Sequence, residues 1–247
     1  MTTPARIRPV STVIIGLGGL GCPASLALAA DGVAKLTLID PDTVDDSNWH
    51  RQSWFDTEDV GQPKAERAAL RLKARFPHLQ VTPRVEAVTL DNAQEILKQH
   101  TLAIDGTDDT RIKFLLSDAA VITGTPLVFG GVIRLEGLAF RIRPSGPCLR
   151  CLFEVPDAET LSCAYAGVMG SVAGVIGALQ GELALSPLED LGKATLHRFD
   201  GTSMRHRRVS ITRAPDCPAC NGPADALWNA WRKGDDAWQM RAKALPS

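Results

Sequence analysis

GLGGLGC, residues 16–22, follows the apolar run TVII and precedes ASLALAA. A β-rich run, a glycine turn and a helical segment in that order put the free N–H groups of a helix start at the turn, where an anion binds. Gly16, Gly18 and Gly21 keep the G-x-G-x-x-G spacing, and Asp40 stands at the end of the next β-rich run, KLTLID. That acid suits the adenosine ribose of a nicotinamide or flavin cofactor. It suits ATP equally, because the same turn and acid can hold any adenine nucleotide. A turn without a ligand is disfavoured: four glycines in six residues (16, 18, 19 and 21) weaken the local chain for no packing gain.

Outward from the turn, β-rich and helical runs alternate: STVIIG, PASLALAADG, KLTLID, AERAALRLKARF, VTPRVEA, NAQEILKQH, LAIDG, TRIKFLLSDAAVITG and PLVFGGV. The alternation predicts parallel strands joined by crossover helices, a Rossmann-like doubly wound α/β sheet. From about residue 134 the texture changes. LEGLAFRIRPSGPC, TLHRFDG and RHRRVSITR read as antiparallel strands around one helical stretch, 170–185, so a mixed sheet with an antiparallel second half is expected. No internal repeat or low-complexity linker interrupts the chain, which reads as one domain, 1–247. In the tail ALWNAWRKGDDAWQM, Trp228 and Trp231 lie three apart on a short helix, docked on the body or on a second subunit.

With 45% apolar and 22% charged residues in 247, the chain can bury a substantial core. A net charge of −1 gives no electrostatic reason to expect nucleic acid as a partner. The N-terminus lacks a secretory h-region and cleavage site, and no window has the apolar length of a membrane span. A cytoplasmic protein with no membrane partner is expected, and its six cysteines are then reduced, metal-bound or chemically active.

After Asp40 comes the polar stretch DPDTVDDSNWHRQSWFDTEDVGQPKAE, which carries Asn48, Arg51, Gln52 and Lys64. Two cations with an amide between them can hold a triphosphate and neutralise charge at a phosphorus under attack; each alone would read as a solvated loop residue. DGTDD, at the end of a later strand, supplies Asp105, Asp108 and Asp109 where open α/β sheets place ligands. Asp108 is a candidate for Mg²⁺ and Asp109 for a helix N-cap. Cys148-Leu-Arg-Cys151 and Cys217-Pro-Ala-Cys220 are two C-x₂-C pairs that together make a tetrahedral thiolate site for structural Zn²⁺, a clasp between distant parts of the chain. Cys22 opens the first helix and reads as a packing residue. Cys163, in PDAETLSCAYAGVMG, reads as a nucleophile or as an inert buried thiol.

Taken together, GLGGLGC, the acid of LIDPD, SNWHRQ with VGQPKAE, DGTDD, GPCLRC, SCAYAGVMG and RAPDCPAC resemble the ThiF/MoeB/HesA family, bacterial relatives of ubiquitin-activating enzymes, in the family's order over about residues 12–220. The resemblance implies adenylation of the C-terminal glycine of a small ubiquitin-like sulfur carrier, with ATP and Mg²⁺, by a homodimer with a structural zinc. It implies that the turn (Gly16, Gly18, Gly19, Gly21) holds ATP, with Asp40 on the ribose and Asn48, Arg51 and Lys64 on the phosphates. Asp42 and Gln52 join the nucleotide set, and Asp108 takes the magnesium. Arg51, Lys64, Asp108 and Cys163 are then the catalytic candidates, Cys163 aligning with a crossover-loop cysteine. A sulfur donor protein would complete the thiocarboxylate. The tail, 221–247, is atypical of the family, Asp109 and Lys113 replace the family's Asn and Arg, and Arg6 or Arg8 would have to supply the arginine that reaches the partner subunit's nucleotide. Two other readings compete. A nicotinamide-dependent oxidoreductase would keep the turn and Asp40 but has no use for Arg51 and Lys64. A non-catalytic relative would bind a protein partner without nucleotide chemistry.

Overall fold

The computed structural model describes residues 10–49, 52, 54–153, 168–187 and 193–233. In chain order these form β1 (Thr12–Ile15), α1 (Gly21–Ala30), β2 (Lys35–Ile39), α2 (Lys64–Arg75), β3 (Gln80–Arg84), α3 (Ala93–Lys98), β4 (Leu102–Asp105), α4 (Thr110–Thr123), β5 (Leu127–Ile133), β6 (Glu136–Ile142), α5 (Gly170–Leu185), β7 (Lys193–Asp200), β8 (Arg205–Thr212), α6 (Pro218–Asn221) and α7 (Ala224–Arg232). The eight strands make one sheet in the order β3-β2-β1-β4-β5-β6-β7-β8. The first five are parallel to one another, and β6, β7 and β8 follow antiparallel, so the sheet is mixed as its sequence texture predicts.

Strands β1 and β4 lie in the middle and are buried along their whole length, which is why TVII and LAID are nearly continuous apolar runs. Their side chains alternate between two cores. Val13 and Ile15 join a core with residues of α3, α4 and α7, whereas Ile14 faces residues of α1, α2 and α5 on the other side. The edges are managed by composition. β3 closes one edge and tolerates Pro83, whose missing N–H would break a central ladder. β8 closes the other with exposed Arg205, Arg207 and Arg208, charges that discourage further strand pairing.

Helix α2 buries Ala65, Ala68, Ala69 and Leu72, one face at helical spacing, and ends on Lys73 and Arg75, cations suited to its C-terminal dipole. Helix α5 is apolar nearly all round because it lies under the sheet against α1. The tail helix α7 docks on the body, with Trp228 and Trp231 buried in the core beside Phe114 and Leu227. Arg6, Arg8, Arg51 and Cys163 lie outside the described residues.

Candidate functional site

The sheet order brings three loops to one rim. β1 has β2 and β4 as neighbours, with Ile15 in register with Ile39 on one side and Asp105 on the other. The chain therefore leaves all three strands side by side. Gly16 N donates to Ile39 O (2.8 Å) and Gly106 N to Ile15 O (2.7 Å), so the glycine turn is stitched to both adjoining loops.

Gly16 has φ +85°, and a Cβ there would lie 2.7 Å from the Gly106 carbonyl carbon. Gly21 passes so close to Gly16 that its Cβ would lie 1.8 Å from the Gly16 oxygen. Only glycine fits at these crossings. The reward is a helix start with accessible backbone: Gly18 and Gly19 are half-buried, and Leu20 at the N-cap of α1 supplies no side-chain hydrogen bond. Such a terminus favours an anion.

Asp40 follows β2 and braces the turn from below, its Oδ2 accepting from Leu17 N (2.6 Å) and its Oδ1 from Asp42 N (2.8 Å). Burial raises the Asp40 pKa, while the two backbone N–H groups and nearby Lys64 work against the rise. A ligand hydroxyl donating to this carboxylate would add to what already holds its charge. Lys64, first residue of α2, has a nearly buried side chain whose Nζ lies 2.9 Å from Oδ2 of Asp42, itself a largely exposed carboxylate. Asn48 ends a short 3-10 turn, 46–48, capped by Asp45. Its carbonyl accepts from Gln52 N (3.0 Å). Gln52 is buried beside Gly18, and its Oε1 has no hydrogen-bond partner among the described residues. An orphaned buried amide oxygen next to an uncapped glycine turn fits a polar ligand seated there.

On the other side of β1, Asp105 is fully buried and acts as a strut. Its Oδ1 accepts from Thr107 N (3.0 Å) and Thr107 Oγ1 (2.7 Å) and its Oδ2 from Lys113 Nζ (3.1 Å). Lys113 also donates to Gly130 O (2.6 Å), so its ammonium is engaged beneath the loop rather than facing solvent. Gln180 Nε2 donates to the Asp105 carbonyl (2.7 Å). Sequence reasoning missed Gln180, although a lone amide within the apolar run of α5 was a signal. Asp109 caps α4, accepting from Arg111 N and Ile112 N, and leaves the neighbouring exposed Asp108 to face outward from the same rim. Cys22 is buried with its Sγ 3.2 Å from Leu17 O, and burial pushes its thiol far up, which suits a packing role.

Far from that rim along the chain, the two cysteine pairs meet. Cys148 caps a 3-10 turn, 149–151, that Cys151 ends, while Cys217 caps α6 and Cys220 lies within it. Their Sγ atoms all lie within 4.8 Å of one another, at 3.9 Å (Cys148–Cys151), 3.6 Å (Cys148–Cys217) and 3.7 Å (Cys151–Cys220). A tetrahedron with Zn–S bonds of about 2.3 Å has edges of about 3.8 Å, so the thiols stand where a zinc ion needs them. A disulfide would require about 2.05 Å.

A model described as the ThiF family matches residues 3–219. The chain is 39% identical over 226 residues to a sulfur carrier protein adenylyltransferase of Thermus thermophilus, covering 87% of this chain and 83% of that protein. It is 37% identical over 228 residues to the SAMP-activating enzyme E1 of Haloferax volcanii, covering 90% of this chain and 84% of the other. Its fold is similar to that of Escherichia coli MccB crystallised with MccA-N7isoAsn, with a TM-score of 0.72 at 20% identity over 86% of this chain and 67% of that one. With a family match over most of its length and relatives of this identity, the chain belongs to the ThiF family.

Proposed function

We propose that this protein adenylates the C-terminal glycine carboxylate of a small ubiquitin-like sulfur-carrier protein, using ATP and Mg²⁺. The observation that carries the reading is the single rim, at the ends of β1, β2 and β4, that gathers an uncapped glycine turn, Asp40, Lys64 and Asp108. Family membership supports it, as does the naming of one relative for this activity.

In this reading Asp40 accepts from the ribose hydroxyls, and Asp42 and Gln52 complete the nucleotide set. The turn amides, Asn48, Arg51 and Lys64 face the phosphates. Magnesium held by Asp108 would neutralise charge on the departing pyrophosphate. A carboxylate oxygen of the carrier forms a bond to the α-phosphorus as the bond to the bridging oxygen breaks, and that electron pair leaves with pyrophosphate. No protein base is required, because the attacking carboxylate is already ionised. Lys64 and Arg51 supply positive charge for the transition state. The resulting acyl adenylate is then open to sulfur from a donor protein, with Cys163 the candidate for any covalent relay. The whole chain works as one adenylation domain, paired as a homodimer in the cytoplasm, and the four cysteines hold a structural zinc.

The test is exchange of labelled pyrophosphate into ATP, with and without carriers ending in Gly-Gly. Exchange that requires a carrier is expected, and Lys64→Ala and Asp108→Ala should each lower it about 100-fold or more while circular dichroism stays unchanged. Tight ATP binding with no exchange for any such carrier would overturn the substrate assignment. Exchange retained in both variants would overturn the site.

A further inference from the structure

The tail helix α7, beyond the residues that the family model matches, is attached to the cysteine cluster by a buried charge. Asp118 is fully buried in the middle of α4. Arg150, also fully buried, is the third residue of Cys-Leu-Arg-Cys, and it grips Asp118 with two nitrogens: Nε lies 2.9 Å from Oδ1 and Nη2 2.7 Å from Oδ2. Its guanidinium stacks 5.4 Å over the Phe114 ring, on the same helix. One residue before Asp118, Ser117 Oγ accepts from Leu149 N (3.1 Å). The turn that carries Cys148 and Cys151 is thus bolted to α4 from within.

The second pair is drawn to the same point. From Cys217 and Cys220 the chain passes through Gly222 and Pro223 into α7, which turns back and buries Trp231. There Trp231 Nε1 donates to Asp118 Oδ2 (2.8 Å), the oxygen that also accepts from Nη2 of Arg150. Both halves of the clasp therefore end on one carboxylate, Cys148 and Cys151 through Arg150 and Cys217 and Cys220 through α7.

We propose that Trp231 and Asp118 are positioning residues for the metal: they hold the two cysteine pairs at ligating distance, and the C-terminal helix thereby sets how slowly zinc is released. Zinc leaves stepwise, one thiolate pair swinging away before the other. A turn bolted through Arg150 and a strand of chain pinned through Trp231 resist that swing, so the sulfurs close again on the metal. Groups outside the ligand shell that orient ligands change metal affinity by about 10–100-fold when removed. Because the two bolts act on the pair that swings away, the effect is expected mainly in the rate of loss.

The inference rests on zinc occupying the cluster, so metal content of the purified full chain is measured first; a folded protein with no zinc overturns that assignment and this inference with it. Transfer of zinc to a chromophoric chelator is then followed well below the unfolding temperature for wild type, Trp231→Phe and Trp228→Phe. Trp231→Phe keeps an aromatic ring but removes the pyrrole half with its N–H, and Asp118 keeps Arg150, so the fold survives. Trp228, buried on the same helix, is the packing control. Release about 10-fold faster in Trp231→Phe alone is expected. An unchanged rate, or the same acceleration in Trp228→Phe, would overturn the proposal, the latter showing that α7 acts only through general stability. The outcome is independent of adenylation, since no nucleotide or carrier enters the assay.

Discussion

Asp59 is an acid that no spacing in the sequence singles out, yet its fully buried carboxylate ties the loop between β2 and α2 to the helix behind it. Arg67 Nε lies 2.5 Å from Oδ1, Arg71 pairs with Oδ2, and the N–H of Asp56 donates to the same oxygen (3.1 Å). Burial would raise its pKa, but the Arg71 guanidinium, the Asp56 N–H and the Arg67 guanidinium outweigh it and hold the carboxyl below the usual range. A depressed folded pKa stabilises the protein above the unfolded value of about 3.9 and loses that contribution as pH falls through the folded value. Asp59→Asn should therefore cost about 1–2 kcal/mol at pH 7, the half-exposed arginines being screened by solvent, and the gap to wild type should close below about pH 4. Urea unfolding at the two pH values reads this directly, and a gap independent of pH would show that the carboxylate's charge is not what holds the loop. The candidates that were legible at this scale, Asp40, Lys64, Asp108 and the cysteines, lie in local patterns with chemical meaning. Asp59 and Gln180 were not, because each takes its meaning from a partner that local spacing does not reveal; Gln180 meets Asp105 across 75 residues.

Among the elements, alternation of apolar runs with helical periodicity was enough to place β1 to β5, the change of texture after residue 134 placed β6 to β8, and α5 covers the 170–185 read as helical. Strand order was not readable in the same way, since it depends on crossovers rather than on any one segment. The glycine turn shows how far a local pattern carries. Gly16 and Gly61 share a left-handed backbone, with φ of +85° and +81°, but a Cβ at Gly16 would strike Gly106 and Thr107 whereas nothing lies within 4 Å of one at Gly61. Alanine at Gly61 should thus cost only the left-handed penalty, about 1–2 kcal/mol. Alanine at Gly16 adds a backbone collision at the junction of three loops, and should cost more than Gly61→Ala and abolish ATP binding by calorimetry. Equal losses for both variants would mean that the close crossing of Gly16 and Gly106 does not hold the site.

For the whole molecule, the cysteine cluster closes what the sheet leaves open. Its pairs lie 69 residues apart, before and after the antiparallel strands β7 and β8, so no strand pairing joins them directly. The C-x₂-C spacing announced the four cysteines that cluster. It could not announce Asp118, whose pairing with Arg150 and Trp231 is created only when α4, the cysteine turn and the tail helix pack together. A clasp between distant segments stabilises by binding only the folded arrangement, so metal affinity becomes folding free energy. Stripping zinc, or replacing Cys217 with Ser, should lower the melting temperature by about 10 °C or more, a loss of several kcal/mol for a chain of this size. If zinc is purely structural, ATP–pyrophosphate exchange per folded molecule should be unchanged in the surviving fraction at low temperature. Exchange that collapses while the metal-free protein remains folded would instead tie the cluster to the nucleotide rim.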